Sequence, residues 1–321
     1  LAHPAKWIEA TPDEAVTAVA ARSLKLRLKP VQQYLPLAAH QADEDVEHVH
    51  QLRVWSRRAQ AAIVMYRDLL PEWRAAWIDA QLKRIRKATN DARDDDVFAE
   101  RLAADKQDPG AARLLKRVRE HRCESQRQVI AVYDRLKKDD RFDKRVAKLV
   151  KRVRLRGKEQ KNGDIPQFGE WAAGQFRPVL EAFYESAKGD LADVDAQHQF
   201  RIAGKQVRYA MELLSGAFPP RLQDDVNPLL ATLQDKLGDV NDHATALTRI
   251  SGWIEDDRSA KESSYLQRIL EDEQRRLEQS QNEFFAWWTS ERMDEFCAAF
   301  EQALAIPCTC RGGAGQAKTG C

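Results

Sequence analysis

From Val49 to Tyr66 the chain reads VHQLRVWSRRAQAAIVMY, and its apolar residues fall on one broad arc of a helix. Drawn at about 100° per residue with His50 at zero, Leu52, Val54, Trp55, Ala59, Ala62, Ile63, Met65, Tyr66 and Leu69 occupy roughly 40° to 220°. Arg53, Arg57 and Gln60 lie at about 300°, 340° and 280°, beside His50. A second stretch, QHQFRIAGKQVRYAMELL from Gln197 to Leu214, repeats the pattern: Phe200, Ile202, Ala203, Val207, Ala210, Leu213 and Leu214 form the apolar arc, and His198, Arg201, Lys205 and Arg208 form the cationic stripe.

The two stretches belong to a longer repeat. A shift of 148 residues pairs Pro30 with Pro178, Lys29 with Arg177, His50 with His198, Arg53 with Arg201, Arg57 with Lys205, Pro71 with Pro219, Asp91 with Asp239 and Asp94 with Asp242, all without a gap. Such an offset marks a duplicated unit of roughly 140 residues. Each unit is expected to hold four helices. The first unit's run near Pro12 to Leu37, Val46 to Leu70, Glu72 to Asn90 with a break at Asp91 and continuation to Ala104, and Pro109 to Lys137, with a further short segment to Arg154. Pro36, Pro71 and Asp108-Pro109 supply the breaks. The second unit's helices are expected to start near Phe168, Asp195, Arg221 and Ser259.

Residues 1–12 read as an N-terminal segment, 13–157 as the first bundle, 158–166 as a polar linker, 167–306 as the second bundle and 307–321 as a tail that loses helical periodicity. Only 14 glycines and 12 prolines in 321 residues, with 32% charged and 43% apolar residues, make the chain all-α. No window resembles a membrane span, and no charged region leads into an apolar one as in a secretory signal. Five cysteines are few, and Cys123 and Cys297 lie far apart in helical patterns, which suits a reducing, cytoplasmic setting. Cys308, Cys310 and Cys321 in the tail match no tight metal-ligand spacing.

The net charge of +2 hides an asymmetry: residues 1–157 carry 34 Lys+Arg against 23 Asp+Glu, and residues 158–321 carry 18 against 27. A basic half suits an anionic partner, or attraction between the halves. A solvated face would also explain one basic stripe. Like charges on a mostly packed helix repel without a counter-ion, however, and this row occurs twice. An elongated polyanion answers the geometry, through forked Arg donors, point-charge Lys and a His that gains charge as pH falls. If the copies face one another, the stripes line a shared groove.

The strings VHQLRVWSRR and HQFRIAGKQVRYAMELL, followed by ATNDARDDDV and LQDKLGDVNDHATAL, resemble both halves of the conserved histidine α-helical domain, CHAD, over about residues 13 to 305. The resemblance implies two four-helix bundles related by pseudo-two-fold symmetry, a basic central groove or pore, and binding of inorganic polyphosphate, often at polyphosphate granules. Carried over by position, the binding residues are His50, Arg53, Arg57, His198, Arg201, Lys205 and Arg208, with Arg22, Lys25, Lys29 and Arg177 as additions. Gln60 departs from the basic pattern opposite Arg208, and Asn90 replaces the glycine seen at Gly238.

No nucleophile is assembled and no cofactor or metal is called for. The RDDD run at Arg93 to Asp96 and NDH at Asn241 to His243 raise a metal-assisted phosphohydrolase as the alternative. There is no His pair at i,i+4, and Asp91, Asp94, Asp239 and Asp242 sit where they would cap helices or pair with cations. Single-stranded nucleic acid is a further alternative that would call for aromatic platforms, and most Trp and Phe residues read as core. The expected protein is non-enzymatic.

Overall fold

The structure, a computed structural model, describes residues 5–105, 108–159, 165–256 and 260–304. Among these there is no strand, only one isolated bridge between Ala15 and Gln167. The chain forms two compact units. Of the described residues, the first holds 5–6, 14–105, 108–159, 165–167 and 260–265, and the second holds 7–13, 168–256 and 266–304.

In the first unit α1 (Val16–His40) packs against α2 (Glu47–Met65) and α6 (Arg141–Glu159); α3 (Glu72–Ala88) lies beside α2, and α4 (Asn90–Ala104) beside α5 (Pro109–Lys137). The order follows from the chain's punctuation. Pro71 takes the N-cap of α3 with an extended backbone, and Asp108 caps α5, its carboxylate accepting from the Gly110 amide at 2.7 Å. Leu24, Leu28, Val49, Leu52, Ala59, Ile78, Leu82 and Leu149 are buried between the helices.

In the second unit α7 (Phe168–Ala187) packs on α8 (Val194–Leu214), which packs on α9 (Asn227–Asp256). Asp193 caps α8 through bonds from the amides of Asp195 and Ala196. The core is aromatic: Phe183 lies 5.2 Å from Phe200 and 6.1 Å from Phe296 of α11 (Ser290–Leu304), centroid to centroid. The remaining helix, α10, spans Ala260–Trp287.

Three element boundaries differ from expectation. Pro36 does not end α1, which runs through both Pro30 and Pro36 to His40, because Leu35, Ala38 and Ala39 are buried and hold the last turn in register. The segment expected to stop at Arg154 is a 19-residue helix, α6, that runs into the expected linker. Gly238 does not break the second unit's third helix: α9 is continuous for 30 residues, preceded by a π turn at Leu222–Val226. The first unit breaks instead at Thr89, whose hydroxyl bonds back to the Ile85 and Arg86 carbonyls at 2.8 and 3.1 Å. The expected start at Ser259 and the 307–321 tail lie outside the described residues.

No helix among the described residues is long and apolar enough to cross a membrane. Cys297 is fully buried on α11, while Cys123 is free and exposed.

Candidate functional site

On α2 the apolar arc is buried through Val49, Leu52, Trp55, Ala59, Ala62 and Ile63, and His50, Arg53 and Arg57 are left half-buried at its edge. Half-burial decides their electrostatics. Arg53 is pushed down to about 10, first by desolvation and then by Arg57, Arg86 and Arg93, with Asp94 opposing. That depression corresponds to a cost on the order of 3 kcal/mol for keeping the guanidinium charged. His50 is held below its ordinary value by burial first, then by Arg93, Arg53 and Arg57, against the pull of Glu47. Five basic side chains thus share one field.

Arg86 on α3 and Arg93 on α4 were not legible as site residues. At the 148-residue offset they correspond to Gln234 and Asn241, so the repeat that revealed the stripe does not include them. Gln60, expected to weaken one end, links helices: its amide donates to Asp79 at 2.8 Å and its carbonyl accepts from Arg86. Asn90 likewise accepts from the Arg53 guanidinium, whose Nη1 also reaches the Arg86 carbonyl at 3.5 Å. The polar residues that depart from the pattern hold the cations in place.

On α8 Arg201, Lys205 and Arg208 are half-buried and His198 is exposed. His198 Nδ1 lies 2.6 Å from Asn241 Oδ1, and Arg201 is 4.0 Å from Asp242. The Arg208 guanidinium sits 5.5 Å from the ring centre of Tyr209. Gly204 lets α9 come close: a Cβ there would strike the Gln234 side chain, whose amide donates to the Arg201 carbonyl at 3.2 Å.

The four additional candidates differ from these. Arg22 is bound to both oxygens of Glu14 at 2.9 Å, so its charge is already answered. Lys25 and Lys29 are exposed on α1, and Arg177 is exposed on α7; none is among the charges that chiefly shift Arg53 or His50.

Of the four carboxylates expected to cap helices or pair with cations, Asp242 lies 4.0 Å from Arg201 and Asp94 offsets the charge around Arg53, so pairing rather than capping is what they do. The N-cap of α4 is Thr89, and α9 has no break for Asp239 to cap. Asp95 is fully buried, 2.8 Å from His121 Nδ1 and 3.4 Å from the Ser125 hydroxyl that donates to it. Asp96 accepts from Arg122 Nε at 2.6 Å, and burial raises its pKa. In the second unit His243 Nδ1 lies 2.6 Å from Glu273. These pairs fasten α4 to α5 and α9 to α10. Among the described residues no three His, Cys, Asp or Glu side chains converge as a metal site.

Two solved structures resemble the chain along nearly its whole length. One is the CHAD domain from the plant Ricinus communis, at 19% identity and a TM-score of 0.63, covering 93% of this chain and 96% of that one. The other is PptA from Streptomyces chartreusis, at 15% identity and 0.56, covering 90% and 100%. At these identities the likeness is one of fold. No curated protein matches in sequence. The profile of the CHAD domain, however, matches residues 22–251. That span takes in both helices that carry a His-x-x-Arg row on a packed face, and the chain belongs to the CHAD domain family.

Proposed function

We propose that the protein binds inorganic polyphosphate along the cations of α2 and α8 without cleaving it, and that this tethers it to polyphosphate granules in the cytoplasm. The observation that carries the reading is the self-repelling cluster around Arg53. A guanidinium pushed down to about 10 by burial and by three other arginines gains from any anion brought beside it. A chain of phosphates supplies negative charge at short, regular spacing and matches forked Arg donors without needing a shaped pocket. His50, Arg53, Arg57, Arg86 and Arg93 form the first unit's set, and His198, Arg201, Lys205 and Arg208 the second's. Binding without turnover is supported by the carboxylates: Asp95 and Asp96 are engaged with His121 and Arg122.

The test is a filter-binding competition among long polyphosphate, single-stranded RNA and orthophosphate, repeated across a salt series. Arg53→Glu with Arg57→Glu, and Arg201→Glu with Lys205→Glu, should each weaken polyphosphate binding at least about tenfold, with a shallower salt dependence. Arg113→Glu with Arg127→Glu, two exposed sites on α5, should change it little. Equal loss in all three pairs would replace the site with diffuse attraction.

A further inference from the structure

The first unit carries another basic surface that the α2 site does not use. Between Arg141 and Arg156, α6 holds eight Lys and Arg and a single acid, Asp143. Phe142, Val146, Leu149 and Val153 face the core and are buried, which turns the cations outward as an exposed face. Asp143 does not neutralise them: it accepts from Lys137 at 3.0 Å and from Gln32 at 2.7 Å.

Tryptophans of α3 line one flank of this face. Trp77 lies 6.3 Å from Phe142, centroid to centroid, and the Arg145 guanidinium stacks 4.3 Å from the Trp77 ring centre. At the other end of α6, Arg156 donates to the Asp68 carbonyl at 3.2 Å, just before α3 begins. The two helices therefore run antiparallel, and Trp73, one turn before Trp77, falls on the same flank of α3, between the residues that make these contacts. Trp73 is 59% exposed, with the Arg74 guanidinium 4.1 Å from its ring centre. A large ring left in water beside a row of cations is the pairing that meets both parts of a single-stranded nucleic acid: charge for the phosphates, a flat face for a base.

We propose that the α3–α6 face binds single-stranded RNA or DNA, with a base stacked on Trp73 and the backbone running along Lys148, Lys151 and Arg152. Inorganic polyphosphate has no ring to stack and gains nothing from Trp73. A membrane surface would want apolar side chains to insert, and those of α6 are turned into the core. The row from Arg141 to Arg156 is about 22 Å long, enough to follow several nucleotides of a single strand.

Fluorescence polarisation with a labelled 12-nucleotide oligo(U), run on the full chain across a salt series, tests the proposal. Trp73→Ala should weaken oligonucleotide binding about tenfold, and Trp73→Phe, which keeps a ring, should stay closer to the parent. Lys148→Glu with Lys151→Glu should weaken it further and flatten its salt dependence. Polyphosphate binding should be unchanged by Trp73→Ala, and oligonucleotide binding should survive Arg53→Glu with Arg57→Glu, so this proposal and the polyphosphate reading fail separately. Retention of helical circular dichroism keeps misfolding out of the comparison. Oligonucleotide affinity indifferent to Trp73→Ala would overturn the proposal, as would binding of phosphatidylserine vesicles with no binding of the oligonucleotide.

Discussion

His198 Nδ1 lies 2.6 Å from Asn241 Oδ1, whereas 148 residues earlier the place of Asn241 is taken by Arg93, whose charge bears on His50. One histidine has an acceptor and the other faces a cation.

Arg93→Asn should raise the pKa of His50 by removing the largest charge acting against it, leaving burial, Arg53 and Arg57 as the depressing causes. Since the folded-state value lies below the ordinary one, His50 favours folding above about pH 6.5 and that contribution is lost as pH falls through the folded value. The variant should narrow this loss. A histidine NMR titration of both proteins reads the shift, and an unmoved His50 would mean that Arg93 does not act on it.

Arg57→Gln should stabilise the free protein while weakening polyphosphate binding. It removes one of the charges that repel Arg53, a gain of about 0.2–0.5 kcal/mol. Thermal melts without and with polymer measure both sides. The parent should gain more melting temperature from saturating polyphosphate than the variant, because only the folded state binds.

Asp95→Ala should cost about 1–3 kcal/mol in urea unfolding, since it strips His121 and Ser125 of a buried acceptor. Asp94→Ala should behave differently: Asp94 is exposed and is the carboxylate that offsets the arginines around Arg53, so its removal should tighten polyphosphate binding. Release of phosphate by the parent, lost in Asp94→Ala, would mean that the carboxylate serves catalysis.

Tyr66 is fully buried within 3.1 Å of the Ser23 hydroxyl, and burial pushes it up to about 12 against the opposing effects of Ser23, Arg27 and Arg22. An unfolded tyrosine ionises near 10, so stability is intact below that pH and is lost as pH rises towards 12. Tyr66→Phe should cost about 1 kcal/mol at pH 7 and lose less than the parent between pH 10 and 12, as followed by urea midpoints.

The helices were legible where local chemistry and packing agree. Pro71 and Asp108-Pro109 mark real starts because an N-terminal turn has no use for the missing proline donor. Pro36 and Gly238 misled because the local cost, about 3 kcal/mol for an interior proline and about 1 for a glycine, is offset by the burial of the neighbours Leu35, Ala38, Leu237 and Val240. The stripe was legible because period and repeat coincide in it. Arg86 and Arg93 were not: they reach the site from other helices, and only the fold brings α3 and α4 to α2.

The pairs that fasten α4 to α5 in the first unit and α9 to α10 in the second carry opposite polarity. In the first unit the acid, Asp95, is on α4 and the histidine, His121, is on α5; in the second the histidine, His243, is on α9 and the acid, Glu273, is on α10. Asp95 and His243 occupy the same place in the 148-residue offset. Splicing the His243 segment into the first half would therefore set imidazole against imidazole at the position where Asp95 is buried. The two halves share a pattern but have lost the freedom to trade parts, and a shuffled chain would need both members of a pair moved together.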